Sequence, residues 1–80
     1  MKARIYVTLK NGVLDPQGKA IQRSLFHLGF EGVQEVRTGK FLEVLLAPMP
    51  LADAENLLRD SCQRLLANNV IEDFRFEIEG

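Results

Sequence analysis

The order of secondary-structure elements follows from an alternating stretch near the beginning of the sequence, Ala3-Arg4-Ile5-Tyr6-Val7-Thr8-Leu9. Every second residue is apolar, which is typical of a strand with one buried face. Asn11-Gly12 breaks the pattern, and Asp15-Pro16 then predicts a helix that begins with a side-chain cap and a first-turn proline. This helix is predicted over 16–28, with Gly29 as its C-terminal cap. Its core stripe is Ile21, Leu25 and Leu28.

The remainder of the sequence predicts two more strands, a second helix and a last strand. Strands are expected over 33–38 and 41–46, joined by a turn at Thr38-Gly39-Lys40. A helix over 51–67 follows, and Asn68-Asn69 is expected to end it in the left-handed conformation. The last strand covers 71–78. The apolar stripe of the second helix is Ala54, Leu58, Cys62 and Leu65.

This β-α-β-β-α-β order predicts the α+β class. We expect one domain over residues 1–80, a two-layer ferredoxin-like sandwich in which two helices cover one face of a four-stranded antiparallel sheet. A chain of 80 residues without a disulfide is marginally stable alone, so self-association is a common remedy.

Composition excludes several classes of function. Ten Lys and Arg against eleven Asp and Glu give a formal net charge of −1, which argues against a nucleic-acid or anionic-membrane partner. The apolar runs are too short to span a bilayer, so a soluble cytoplasmic domain is expected. A single cysteine, Cys62, excludes an internal disulfide, and a single histidine, His27, argues against a His/Cys zinc site.

Catalytic chemistry has little support in the sequence. His27 lies near the end of the first helix with no nucleophile placed beside it, and Cys62 belongs to the core stripe of the second helix. The acidic residues are dispersed, and no phosphate-binding glycine motif occurs. We therefore predict no catalytic residue, no metal site and no cofactor bound by this chain.

One face of the predicted sheet carries large apolar side chains among its charges. These are Tyr6, Phe41 and Leu45. Scattered apolar exposure is ordinary, but a patch on so small a chain also suits an interface. We favour self-association through these three residues.

The loop before the first helix contains residues that a turn and a helix cap do not explain. Val13 and Leu14 are apolar, and Gly18 is a poor residue for a first helical turn, costing about 1 kcal/mol relative to alanine. Close approach of another chain would explain both features. The predicted partner-binding residues are Gly12, Val13, Leu14, Asp15, Pro16, Gln17 and Gly18.

The same residues carry a resemblance to a known family. Leu9-Lys10 and Gly12-Val13-Leu14-Asp15-Pro16-Gln17-Gly18, with Leu28-Gly29-Phe30 and Val70-Ile71-Glu72, resemble PurS, the small subunit of phosphoribosylformylglycinamidine (FGAM) synthase. The resemblance covers essentially the whole chain. One departure is Asn69, where the family usually has proline.

The resemblance implies a non-catalytic subunit of an ATP-dependent C–N ligase in de novo purine biosynthesis. It implies a homodimer that joins a PurL synthetase subunit to a PurQ glutaminase subunit and helps ammonia pass between them. ATP, Mg²⁺ and glutamine would be used by the complex rather than bound by this chain. The alternative is a dimeric regulatory domain of the same fold that senses a small ligand such as an amino acid.

Overall fold

The computed structural model describes all residues from Met1 to Gly80. Its elements are β1 (Lys2–Leu9), α1 (Pro16–His27), β2 (Gly39–Leu45), α2 (Leu51–Ser61), a π-helical turn (Cys62–Leu66) that continues α2, and β3 (Glu72–Glu79). The strands form one antiparallel sheet in the order β2-β1-β3. The predicted α+β class and ferredoxin-like arrangement are confirmed.

The core lies between the sheet and α2. Along β1 the side chains of Ala3, Ile5 and Val7 are fully buried, as the alternating pattern predicted. Ile5 lies opposite Leu42 of β2 and Phe76 of β3, so all three point toward the helix layer. From α2 and its π-helical continuation, the core receives Leu58 and Cys62.

The predicted strand over 33–38 and its turn at Thr38-Gly39-Lys40 are wrong for the isolated chain. The sheet has three strands, and Gly39 and Lys40 are the first residues of β2. Residues 33–37 make no backbone–backbone hydrogen bond. The side chain of Arg37 and the backbone and hydroxyl of Thr38 bind instead to the loop before α1. Such side chain–backbone bonds compete with strand pairing.

Helix α1 begins at Pro16 and is capped by Asp15, and Gly29 follows it with a φ of +97°, as predicted. Its predicted core stripe is not buried, because Ile21 is 39% and Leu28 73% exposed. No side chain of α1 belongs to the core. The molecule measures 49 × 25 × 14 Å. The segment 30–38, which leads from α1 back to the sheet, is here called the return segment. Helix α1 and the return segment therefore form an arm.

The end of the second helix differs from the prediction in two details. Leu65 is 83% exposed, because the π-helical turn shifts the side chains away from the 3.6-residue spacing used to predict the stripe. Neither Asn68 nor Asn69 adopts a positive φ. Asn69 instead donates its side-chain amide to the Gln63 carbonyl oxygen (2.7 Å), and Asn68 accepts from the Val70 N–H (3.1 Å).

Candidate functional site

The loop over residues 12–18 is organised around a buried carboxylate. Asp15 is only 3% exposed. Its Oδ1 accepts from the Gly18 N–H at 2.8 Å, which caps α1, and its Oδ2 accepts from the Thr38 N–H at 2.6 Å. The Thr38 hydroxyl lies 2.9 Å from Oδ1 and 3.0 Å from Oδ2. One side chain thus joins the beginning of α1 to the end of the return segment.

Hydrogen bonds to the charged form hold the pKa of Asp15 below its ordinary value. The N–H groups of Thr38 and Gly18 are the main causes, and the Thr38 hydroxyl and the Arg37 charge act in the same direction against the effect of burial. Because the folded pKa is lowered, this carboxylate stabilises the folded state above its unfolded pKa near 3.8. That contribution is lost as pH falls through the folded value.

We predict that Asp15→Asn weakens this junction and flattens the acid side of the stability profile. The amide keeps one acceptor oxygen but loses the charge that strengthens all of these bonds. Near neutral pH we expect a melting temperature about 5 °C lower than wild type. The difference should shrink as pH falls below 3.8, measured by thermal unfolding across the acid range. A melting-temperature difference that stays the same down to the lowest pH would contradict the lowered pKa of Asp15 in the folded state.

Arg37 forms a second connection across the loop. Its guanidinium donates to the Val13 carbonyl oxygen at 3.0 Å and to the Lys10 carbonyl oxygen at 3.2 Å. Both carbonyl groups lie outside any helix or strand, and the Lys10 oxygen also accepts from the Val13 N–H at 3.2 Å. Arg37 and Thr38 were not predicted as members of the site. Each lies more than twenty residues from its partner in the loop, and no local sequence pattern indicates the contact.

Gly18 is explained by the chain itself. A Cβ built on Gly18 would overlap the Val36 carbonyl oxygen and lie 2.8 Å from Asp15 Oδ2. The close approach that we attributed to another chain is therefore made by the return segment, and this part of the prediction was wrong. Glycine is required here because any side chain would separate α1 from Val36.

The structure divides the seven predicted partner-binding residues into two groups. Asp15 and Gly18 are buried, and Val13 is half-buried. The exposed ones are Gly12, Leu14, Pro16 and Gln17. Leu14 is 69% exposed. The turn before β3 adjoins the loop through a bond from the Lys10 N–H to the Ile71 carbonyl oxygen (2.8 Å), which brings Val70, 82% exposed, to the same end of the molecule.

The three predicted self-association residues share the sheet face opposite α2, here called the open face. Tyr6 lies opposite Phe41 in the strand register, with ring centroids 5.3 Å apart, and the guanidinium carbon of Arg75 lies 3.9 Å from the Tyr6 ring centroid. Leu45 lies further along β2, beyond Glu43, which pairs with Lys2 at 2.7 Å. The structure brings together two of the three residues.

The side chains considered for catalysis do not form a site. Cys62 is buried in the core, and burial raises the pKa of its thiol, which disfavours the reactive thiolate. His27 is exposed at the last residue of α1. No three His, Cys, Asp or Glu side chains are grouped as metal ligands. None of the helices is both long and apolar enough to span a membrane.

Comparison with known proteins identifies the family. Residues 2–80 match the family described as "PurS: Phosphoribosylformylglycinamidine (FGAM) synthase". The chain belongs to the PurS family. The "Phosphoribosylformylglycinamidine synthase subunit PurS" of Bacillus subtilis is 45% identical over 78 residues, 98% of this chain and 92% of that protein. The Synechocystis PurS protein is 51% identical over 75 residues, 94% of this chain and 75% of that protein.

Solved PurS structures have the same architecture. The B. subtilis PurS structure gives a TM-score of 0.88 with 44% identity and covers 99% of this chain and 98% of its own. A chain in the structure of PurLQS from Thermotoga maritima gives 0.87 with 28% identity, over 95% of this chain and 93% of its own. The PurS fold therefore extends over the whole length described above.

Proposed function

We infer that this chain is the PurS subunit of FGAM synthase in purine biosynthesis. The observation that carries this conclusion is the family match over residues 2–80, together with the likeness to a chain of the Thermotoga PurLQS structure. Its role is non-catalytic: it joins a PurL synthetase subunit to a PurQ glutaminase subunit and aids ammonia transfer between them. ATP, Mg²⁺ and glutamine are used by those subunits, in the cytoplasm.

The exposed part of the 12–18 loop is the proposed contact with a partner subunit. Leu14, Pro16 and Gln17 are exposed, whereas Asp15 and Gly18 fix the backbone that presents them. An apolar side chain exposed on a loop that is tied at both ends loses little conformational entropy on binding. Val70 is exposed at the same end of the molecule.

The decisive experiment compares two nitrogen sources. Synthetase and glutaminase subunits are incubated with ATP, Mg²⁺ and formylglycinamide ribonucleotide, and product is measured with glutamine or with free ammonia, in the presence and absence of this chain. We expect glutamine-driven turnover to need the chain and ammonia-driven turnover to proceed without it. If neither reaction responds to the chain, the proposed function is wrong. Saturable amino-acid binding to the isolated chain would then favour the ligand-sensing alternative.

The loop hypothesis is tested in the same assay with Leu14→Asp/Gln17→Ala. Both side chains are exposed, so the variant should fold normally and yet lose glutamine-driven turnover. If this variant supports full glutamine-driven turnover, the loop contact is contradicted and the subunit assignment is unaffected.

We also propose that the chain is a homodimer and that the arm is exchanged between its two copies. β2 lies at the edge of the sheet, with a neighbour on one side only. Residues 33–37 have the composition of a strand but make no backbone–backbone bond. Pairing of 33–38 from one copy with β2 of the other would supply the fourth strand that the β-α-β-β-α-β order predicts.

The exposed stripe of α1 supports the same arrangement. Leu42 and Val44, on the helix-facing side of β2, are only half-buried. Arm exchange would carry α1 of the second copy over these residues and bury its stripe of Ile21, Leu25 and Leu28. Each copy would give and receive one arm, as twofold symmetry requires. The smaller patch on the open face remains the alternative interface.

A further inference from the structure

A groove lies between α1 and the return segment. It has a volume of about 300 Å³ and is open to solvent rather than enclosed. Its lining combines cationic, amide and apolar side chains: Lys19, Gln22, Arg23, Phe26 and Val33. Gln22 fixes one wall, because its side-chain amide donates to the Gln34 carbonyl oxygen at 2.7 Å.

The two cations of the groove form no ion pair, unlike most cations of the molecule. Of the ten Lys and Arg, all but three form an ion pair within 4.0 Å. One of those three, Arg59, lies over the Phe76 ring at 5.5 Å. The other two are Lys19 and Arg23, both exposed.

The charge of α1 differs from that of the whole chain. The helix contains Lys19 and Arg23 but no Asp or Glu, whereas the complete sequence has a formal net charge of −1. The two cations are four residues apart and therefore share one side of the helix, with Phe26 three residues further along. Ile21 and Leu28 occupy a different side of the helix, so burying them does not require Lys19 and Arg23 to be covered.

We propose that the groove binds a carboxylate-bearing segment of a partner subunit, with an apolar side chain seated against Phe26 and Val33. Unpaired cations beside an aromatic ring and an amide complement an acidic, partly apolar peptide. A small ligand would be largely enclosed by its pocket, whereas this groove is open to solvent. The proposal rests on the chain being an FGAM synthase subunit, and it specifies the chemistry of a second contact with the complex.

The test measures binding of this chain to the assembled synthetase and glutaminase subunits with Mg-ATP and glutamine, by fluorescence anisotropy, at low ionic strength and at about 0.15 M salt. The variant is Lys19→Gln/Arg23→Gln. Arg59→Gln/Arg64→Gln is the control, because it removes the same charge from exposed positions elsewhere. We expect the groove variant to bind about tenfold more weakly at low salt and to lose most of the salt dependence.

The outcomes separate this proposal from the proposed function. If wild type binds and the groove variant binds equally well, or if the control is weakened as much, the groove proposal is overturned and the subunit assignment stands. If the wild-type chain binds neither partner subunit, the groove proposal and the subunit assignment are both overturned. Unchanged melting temperatures of the two variants show that any loss of binding is not a folding defect.

Discussion

Replacing Gly18 with alanine is expected to destabilise the protein, although the same change in an ordinary helix would stabilise it by about 1 kcal/mol. The new Cβ would overlap the Val36 carbonyl oxygen and crowd the Asp15 carboxylate. A backbone oxygen cannot move aside cheaply, and overpacking of this kind costs about 1–3 kcal/mol. The steric cost therefore outweighs the gain in helix propensity, and α1 should separate from the return segment.

Thermal unfolding checks this prediction, with Gly32→Ala as the matched control. Nothing lies within 4 Å of a Cβ built on Gly32, and its φ is not in the left-handed region. Each kcal/mol lost should lower the melting temperature of an 80-residue domain by about 4–8 °C. An alanine variant at Gly18 as stable as wild type would show that the contact with Val36 is not maintained in solution.

The second large effect concerns self-association. Ile21→Asp/Leu28→Asp places two carboxylates per chain on the stripe that arm exchange would bury, so we expect dimerisation to weaken at least about 100-fold. Tyr6→Glu/Leu45→Glu adds the same charge to the open face and should leave the dimer intact. Sedimentation equilibrium over a range of concentrations measures both.

The reverse pattern would assign self-association to the open face. A dimer that resists Ile21→Asp/Leu28→Asp but dissociates with Tyr6→Glu/Leu45→Glu contradicts arm exchange. A wild-type chain that is monomeric at every concentration contradicts both interfaces. Circular dichroism of each variant ensures that the comparison is made between folded proteins.

Elements whose signals are local were predictable from the sequence. The alternation in β1 identified Ala3, Ile5 and Val7 as the buried face, and Asp15-Pro16 identified the first residue of α1. The return segment could not be predicted in this way. Its pattern indicates a strand, but whether a strand forms depends on a pairing partner, and within one chain Thr38 is bound by Asp15 instead.

The sequence marked the 12–18 loop as unusual but did not indicate what its residues contact within the chain. Glycine, aspartate and proline before α1 marked the loop as unusual, yet Asp15 and Gly18 face the chain's own return segment. Residues that complete the arrangement, Arg37 and Thr38, are distant in sequence. The groove was also missed, because the isolation of Lys19 and Arg23 from acidic groups becomes evident only when every other charge has a position.

The central place of β1 has a consequence for the order in which the molecule assembles. Ala3 pairs with Val44 on one side and with Ile78 on the other. β1 is synthesised before β3, so its second ladder can close only after β3 has been made, and contacts of such long sequence separation slow folding. Until then one edge of β1 lacks its neighbour, and the sheet that buries Ala3, Ile5 and Val7 is incomplete.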